Sequence, residues 1–201
     1  MSPTDFSVGI ELEARPLKRS KTRLQDALQA LQNAFPDNDF RLRVCKSLTP
    51  PRWWGLESEQ FGQVEFQTPP MLVTELAMIT PVLRFLRTRY EVGRTSGMHV
   101  HIHALETGIF DLGRFHDMVV KRWRDELWPS RRTYSKVRRQ KPHSYTRDKH
   151  YAVNVVWPTR TALKQPTKIH VEVRIFNGTL HAREVKTRVR HVLEMLCCCQ
   201  V

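Results

Sequence analysis

Cysteine is scarce in this sequence, and the four cysteines are poorly placed for cross-linking. Cys45 stands alone, whereas Cys197, Cys198 and Cys199 are consecutive near the C-terminus. Neither arrangement has the C-x-x-C spacing of a cysteine zinc site or the dispersed pairs of a disulfide framework. We therefore expect neither kind of cross-link in the fold.

Long apolar runs are also lacking. None reaches the length that crosses a bilayer, and the opening MSPTDFSVGIELE does not have the basic-then-apolar order of a signal peptide. We therefore expect a cytoplasmic protein that does not act at a membrane. With 201 residues and an apolar fraction of 40%, the chain predicts one globular domain over residues 1–201.

Acidic residues are few beside basic ones: 20 Asp and Glu against 33 Lys and Arg, a net charge of +13. Such a surface attracts nucleotide phosphates, acidic peptides or nucleic acid. The excess is densest from Arg114 to Lys149. Within it, the loop predicted from Pro129 to Lys149 is either a solvated surface or a lid over a nucleotide, with Lys136, Arg138 or Arg147 reaching the phosphates.

Hydrophobic periodicity predicts a mixture of helices and strands. The predicted helices are Lys21–Phe35, Leu72–Tyr90, Phe110–Leu127 and Glu184–Leu196. The predicted strands are Ser7–Ala14, Phe40–Cys45, Phe61–Gln67, Ser96–Ala104, Tyr151–Trp157 and Ile169–Phe176. Pro81 predicts a kink or break in the second helix. The order lacks strict β-α-β alternation, so we expect an α+β fold, a mostly antiparallel, curved sheet with helices on one face.

Several predicted strands carry charged or imidazole side chains at every second residue. In SGMHVHIHA, the residues His99, His101 and His103 fall on one face of a strand. The same alternation occurs in three further pairs: Glu11 and Glu13, Glu65 and Gln67, and Glu172 and Arg174. A solvated sheet face is the ordinary explanation. In so basic a protein, however, carboxylates grouped with imidazoles favour a site for Mg²⁺ or Mn²⁺, with a nearby arginine suited to phosphate.

Short motifs in this chain follow the order found in a known family. GMHVH resembles the signature strand of glutamine synthetases, and ELE, ESEQFGQVE and EVR resemble their other glutamate-bearing strands. From Gly9 to the last helix the chain more closely resembles the small amidoligase family, which has the same carboxylate–amine ligase fold. The motifs that carry this resemblance are GIELE, VEFQTPP, GMHVHIH, HYAVN and VEVRIFNGTL.

The resemblance implies a fold like the glutamine synthetase catalytic domain and a ligase that uses ATP and Mg²⁺ or Mn²⁺. ATP would phosphorylate a carboxylate to an acyl phosphate, and an amine would then displace the phosphate to form an amide. The partner would be a small molecule or peptide with a carboxylate and an amine, an acidic peptide or protein included. Nucleic acid is not expected beyond non-specific charge attraction.

The resemblance also implies two sets of metal ligands. They are Glu13, Glu57 and Glu65 for one ion, and Glu11, His99 and Glu172 for a second ion near the γ-phosphate. Glu11 and Glu13 are interchangeable between the sets, and Glu59 is an alternative to Glu57.

Catalytic and nucleotide-binding roles follow from the same resemblance. Arg174 would neutralise the transferring phosphoryl group beside Glu172, and Asn154 would contact substrate or phosphate. His101 would contact the nucleotide or the substrate. His103 has no counterpart role, and we expect it to form structural hydrogen bonds.

The chain departs from the family before Tyr151. An arginine is expected there, whereas Lys149 and His150 occupy the place. Arg147 is the candidate to supply that positive charge to the nucleotide.

A second class of enzyme shares the His-x-His pattern. HUH-type single-strand DNA endonucleases bind one metal with such a pair and attack DNA with a tyrosine, here Tyr134, Tyr145 or Tyr151. The net charge of +13 suits a phosphate backbone. This reading leaves the strand carboxylates without a role and turns them toward a polyanion. Five or more carboxylates converging on two metals indicate the ligase, and one beside two histidines indicates the nuclease.

Overall fold

A computed structural model describes residues 2–17, 24–42, 54–58, 63–105, 110–131, 135, 151–155 and 170–201. Of the predicted nucleotide-binding residues, Lys136, Arg138 and Arg147 lie outside these ranges, as do Tyr134 and Tyr145. Within the described ranges, no helix has both the length and the apolar character needed to cross a bilayer.

The described residues form strands and α-helices in mixed order. The strands are β1 Phe6–Pro16, β2 Phe40–Leu42, β3 Trp54–Ser58, β4 Val64–Gln67, β5 Met71–Leu72, β6 Tyr90–Glu91, β7 Gly97–Ala104, β8 Val153–Val155 and β9 His170–Asn177. The helices are α1 Leu24–Ala34, α2 Ile79–Arg87, α3 Leu112–Trp123 and α4 Ala182–Cys197. Short 3-10 segments cover Pro3–Asp5, Val73–Met78 and Pro129–Arg131.

The strands form one largely antiparallel sheet in the order β2-β3-β4-β1-β7-β9-β8. The pairing of β2 with β3 is parallel, and every other described pairing is antiparallel. The short strands β5 and β6 pair with the two ends of β1. The predicted antiparallel character of the sheet is therefore confirmed.

One face of the sheet is apolar and packs against the helices. Alternate residues of β1, from Phe6 to Ala14, are almost completely buried, and the apolar residues of β4, β7 and β9 are buried as well. These side chains form one hydrophobic cluster with buried residues of α1, α2, α3 and α4. The other face of the same strands carries the glutamates and histidines, because side chains alternate along a strand. The hydrophobic core and the helices therefore lie behind the polar face that carries the candidate site residues.

Two local predictions were wrong. Pro81 neither kinks nor breaks a helix: α2 begins at Ile79, so Pro81 falls in the first turn, where a backbone N–H has no helical partner. The sequence analysis also missed a strand: β3 is formed by Trp54–Ser58 and places Glu57 beside β4.

The register between β7 and β9 shifts between Met98 and Val100. Arg174 and Ile175 therefore share the position opposite His99, which is a β-bulge. Because of the extra residue, β9 directs polar side chains to the polar face before the bulge and still returns apolar side chains to the core after it.

Candidate cation and phosphate site

Strand pairing brings the predicted site residues together in rows across the polar face. Three rows result: Glu57–Glu65–Glu13, Gln67–Glu11–His99, and His101–Glu172–Asn154. Direct cross-strand neighbours lie close enough for their side chains to interact. Residues from six strands, β3, β4, β1, β7, β9 and β8, therefore lie next to one another on this face.

Glu11 occupies the centre of this surface. One of its oxygens, Oε2, lies 3.0 Å from Nδ1 of His99, and the other, Oε1, lies 3.2 Å from Nε2 of His101. Gln67 donates from Nε2 to Oε1 at 3.3 Å. Burial raises the pKa of Glu11, but the charge of His101 and hydrogen bonds from both imidazoles outweigh it and hold the pKa well below its usual range. Glu11 is therefore a carboxylate at neutral pH.

His99 is buried with 2% of its surface exposed. Its Nε2 lies 3.7 Å from Oε1 of Glu13, and its Nδ1 lies 3.7 Å from Oε1 of Glu172. Burial, with the charge of Arg174, lowers its pKa in spite of the neighbouring carboxylates. A neutral imidazole is the form that binds a metal ion.

His101 has two ring nitrogens in different surroundings. Nδ1 lies 3.2 Å from Nε2 of His170. Nε2 is buried and lies 3.2 Å from Oε1 of Glu11, at an angle too poor for a full hydrogen bond, and no other described residue offers it one. Oε1 of Glu172 lies 3.9 Å from that nitrogen. Burial opposes protonation of His101, but the charge and hydrogen bonding of Glu11 and the charge of Glu172 raise its pKa to about 9.

Glu172 is buried and held by two donors. Arg174 donates from Nη1 to Oε1 at 2.6 Å, and Asn154 donates from Nδ2 to Oε2 at 3.0 Å. Burial raises the pKa of Glu172, and the charges of Arg174 and His101 lower it by more, so the carboxyl is ionised. Nε of Arg174 is buried, and among the described residues it has no hydrogen-bond partner. Glu172 thus fixes one nitrogen of the guanidinium.

Among the residues that the structure describes, two groups of side chains have the spacing to hold an ion. Their candidate ligand atoms lie within 4.8 Å of one another in each group: Glu11, Glu65 and His99, and Glu11, His101 and Glu172. The unsatisfied Nε2 of His101, buried among carboxylate oxygens, is what a site shaped for a cation requires. Carboxylate oxygens with imidazole suit Mg²⁺ or Mn²⁺.

These groups differ from the ligand sets that the family resemblance implies. Glu65 is grouped with Glu11 and His99 rather than with Glu13 and Glu57. Glu13 accepts a hydrogen bond from the backbone N–H of Gly97 at 2.6 Å, and Oε2 of Glu57 is buried without a hydrogen-bond partner. The row Glu57–Glu65–Glu13 therefore borders the two groups, and of its three members only Glu65 belongs to one of them.

Two polar-face residues received no role in the sequence analysis. Gln67 hydrogen-bonds both Glu11 and Glu65 through Nε2 and so separates their charges. His170 contacts His101, and its ring is also T-shaped to His103 at 5.9 Å. The period-2 alternation with Glu65 and Glu172 could have identified both residues.

Tyr151, one of the tyrosines considered for a nuclease, is described and buried. Its backbone N–H donates to Oδ1 of Asn154 at 3.3 Å. The tyrosine thus helps to orient the amide whose other end holds Glu172.

Comparison with known proteins adds little to this description. No protein-family model matches the sequence, and no curated protein matches it. Among solved structures, a modest similarity is found to a chain of the crystal structure of the complex between prokaryotic ubiquitin-like protein Pup and its ligase PafA, with a TM-score of 0.49 and 10% sequence identity. The match covers 97% of this chain and 47% of that one, so the chain spans about half the length of its neighbour.

Proposed function

We propose that the protein is an ATP-dependent carboxylate–amine ligase that requires Mg²⁺ or Mn²⁺. The observation that carries the proposal is the position of Glu11, which belongs to both three-residue groups beside the Glu172–Arg174 pair. A site for transferring a phosphoryl group needs negative ligands for divalent cations next to a fixed positive charge for the phosphate. This surface offers both within a few side chains.

The cation ligands in this proposal are Glu11, Glu65 and His99 for one position and Glu11, His101 and Glu172 for the other. Glu13 and Glu57 lie on either side of Glu65 in the neighbouring row and are further candidate ligands for the first ion. Bound cations would supply charge neutralisation for the phosphate oxygens. Gln67 donates from Nε2 to both the Glu11 and the Glu65 carboxylates. This shared donor would hold the two groups in place for a common ligand.

Arg174 would contact the transferred phosphoryl group. Its Nη1 is fixed by Glu172, and no described residue forms a hydrogen bond with its buried Nε. A preorganised donor of this kind stabilises charge that develops in a transition state. Asn154 would keep Glu172 oriented through its 3.0 Å hydrogen bond.

The proposed ligation would proceed in two steps. A substrate carboxylate oxygen attacks the γ-phosphorus of ATP, the bond to the bridging oxygen breaks, and ADP leaves. The amine nitrogen then forms a bond to the acyl carbon, inorganic phosphate leaves with the electron pair of the C–O bond, and the nitrogen loses a proton. The carboxylate and amine are carried by a small molecule or a peptide, with an acidic peptide or protein favoured by the charge of +13.

Calorimetric titration with ATP, with and without Mg²⁺, tests the proposal. The wild-type protein should bind ATP only with Mg²⁺, and Glu172→Gln should lose that binding. Glu194→Gln, on the exposed side of α4, is the matched control and should bind as the wild type does. Substituting Lys136, Arg138 or Arg147 by alanine in the same titration tests whether the basic segment reaches the nucleotide.

A parallel assay with single-stranded DNA addresses the nuclease. Five carboxylates, those of Glu11, Glu13, Glu57, Glu65 and Glu172, lie on the same face as the two histidines, and three of them belong to the cation groups. This exceeds the single carboxylate of the nuclease pattern and favours the ligase. Metal-dependent nicking of the DNA without any binding of ATP would overturn the ligase proposal and direct attention to Tyr134, Tyr145 and Tyr151.

A further inference from the structure

His170, the first residue of β9, lies on the polar face two residues before Glu172. Its Nε2 lies 3.2 Å from Nδ1 of His101, and the two ring centroids are 5.4 Å apart. Two imidazoles at that distance share one hydrogen bond, and one of the two nitrogens must carry the proton.

The direction of this hydrogen bond determines what the other nitrogen of His101 can do. Nε2 of His101 is buried, lies 3.2 Å from Glu11 and 3.9 Å from Glu172, and forms no well-aligned hydrogen bond with any residue in the described part of the chain. In a neutral imidazole only the unprotonated nitrogen binds a cation. Nε2 is available for an ion when the proton of His101 is on Nδ1, the nitrogen that faces His170.

We propose that His170 is a positioning residue for the cation site. Its Nε2 accepts the Nδ1–H of His101, which fixes the ring and keeps Nε2 of His101 as the ligand atom beside Glu11 and Glu172. The inference rests on the proposed function in so far as a cation binds at that group. It adds a residue that neither the sequence motifs nor the ligand sets contain.

The surroundings of His170 support its role as the acceptor. Nε2 of His170 lies 3.2 Å from Nδ1 of His101, within hydrogen-bond distance, so it is placed to accept the Nδ1 proton. A neutral imidazole has one nitrogen that accepts. Partners that accept from a metal-binding histidine in this way orient the ring, and losing them costs about 10- to 100-fold in metal affinity.

The opposite arrangement has a clear consequence. If Nε2 of His170 carried its proton and donated to Nδ1 of His101, the proton of a neutral His101 would be on Nε2. That proton would point at Glu11 and would occupy the position of the cation. The two arrangements therefore differ in which ring nitrogens are protonated, a quantity that can be measured directly.

Nitrogen-15 NMR of the histidine rings distinguishes them. In the metal-free and the Mg²⁺-loaded protein, we expect Nδ1 of His101 to be protonated and Nε2 of His170 to be unprotonated. A proton on Nε2 of His170 in either form would overturn the inference. This readout does not depend on ATP or on catalysis.

Mn²⁺ affinity, measured without nucleotide, tests the consequence. His170→Leu should bind Mn²⁺ about 10- to 100-fold more weakly. His170→Gln offers an amide oxygen as acceptor and should recover most of the affinity. His103→Leu, on the same face but outside both cation groups, is the matched control and should bind as the wild type does.

The outcomes separate the two proposals. Unchanged Mn²⁺ affinity in His170→Leu would overturn the role of His170 and leave the cation site intact. Absence of Mn²⁺ binding by the wild type would overturn both. If thermal unfolding shows that His170→Leu is not folded, the ring protonation pattern and the Mn²⁺ affinity of His170→Gln test the role of His170 instead.

Discussion

Glu11 and His101 are diagonal neighbours on two antiparallel strands, with Oε1 of the carboxylate 3.2 Å from Nε2 of the ring. The residue directly opposite His101 is Gly9, and the residue directly opposite Glu11 is His99. A Cβ at position 9 would lie 3.7 Å from that of His101, which is an ordinary contact. The diagonal arrangement lets one carboxylate meet two imidazoles.

Replacing Glu11 should abolish cation binding in both groups. In Glu11→Gln one shared ligand becomes a neutral amide, and we expect Mn²⁺ affinity to fall by more than about 100-fold, since losing an outer partner alone costs about 10- to 100-fold. Electron paramagnetic resonance of free Mn²⁺ measures the loss. Glu194→Gln serves as the control, and a loss limited to a few-fold would show that Glu11 is not a ligand.

The alternating pattern of polar residues was sufficient to predict this face. Glu11, Glu65, His99 and Glu172 were each assigned to the polar side of a strand from periodicity alone, and the sheet places them together. Periodicity is a local property, whereas the grouping of Glu65 with Glu11 and His99 depends on which strands are neighbours and in what register. That information is carried by the packing of the whole sheet.

The bulge in β9 could not be predicted for the same reason. An extra residue opposite His99 changes no composition and no motif. It appears only when the pairings at Met98 and Val100 are known. The role of Gln67 was missed because a glutamine beside a glutamate is ordinary in a strand, and its two carboxylate partners come from different strands.

The metal-free protein should lose stability as the pH rises from about 6.5 to 9. Burial lowers the pKa of His101, but the carboxylates of Glu11 and Glu172 raise it to about 9, against a lowering contribution from Arg174. His170, in contact with the ring, is already neutral in this range. A histidine whose pKa is raised by folding stabilises the folded state fully at a pH below its pKa in the unfolded chain. This stabilisation is lost as the pH rises through the pKa of the folded state, by at most about 1.4 kcal/mol per pH unit.

Urea unfolding in the presence of a chelator measures this dependence. His101→Gln should be less stable near pH 6 and should lose most of the slope between pH 6.5 and 9. His103→Gln should keep the slope. A wild-type protein whose stability is constant over that range would contradict the predicted charge state of His101.

Arg174→Gln should separate phosphate chemistry from cation binding. Removing the guanidinium takes a positive charge from beside Glu172, so Mn²⁺ affinity should stay the same or increase. ATP turnover should fall by about 10²- to 10³-fold, the usual effect of losing one preorganised donor. Parallel Mn²⁺ titration and ADP release test the split, and a proportional loss of both would argue that Arg174 has only a structural role.

Gly178→Ala should destabilise the fold without touching a candidate ligand. A Cβ at this position would lie 2.5 Å from Cγ1 of Val92 and 3.2 Å from the backbone carbon of Ser96. The backbone N–H of Gly178 donates to the carbonyl of Ser96 at 2.9 Å, so this approach joins the end of β9 to the start of β7. Overpacking typically costs about 1–3 kcal/mol, which urea unfolding can measure.

Gly93→Ala is the comparison for that variant. A Cβ there would meet its neighbours only at 3.7 Å or more, which is ordinary contact. Equal stability losses in the two variants would show that the Ser96–Gly178 approach is not the cause.

The surface around Glu11 takes its candidate ligands from both halves of the chain, with Glu11 on β1 and Glu172 on β9. A fragment that ends before β9 carries Glu11, Glu65 and His99 but lacks Glu172 and Arg174. In a chain emerging from the ribosome, the second cation group and the arginine beside it would be completed only when the late strand docks beside β7. Chemistry with a reactive acyl phosphate would be confined to molecules that are already fully assembled.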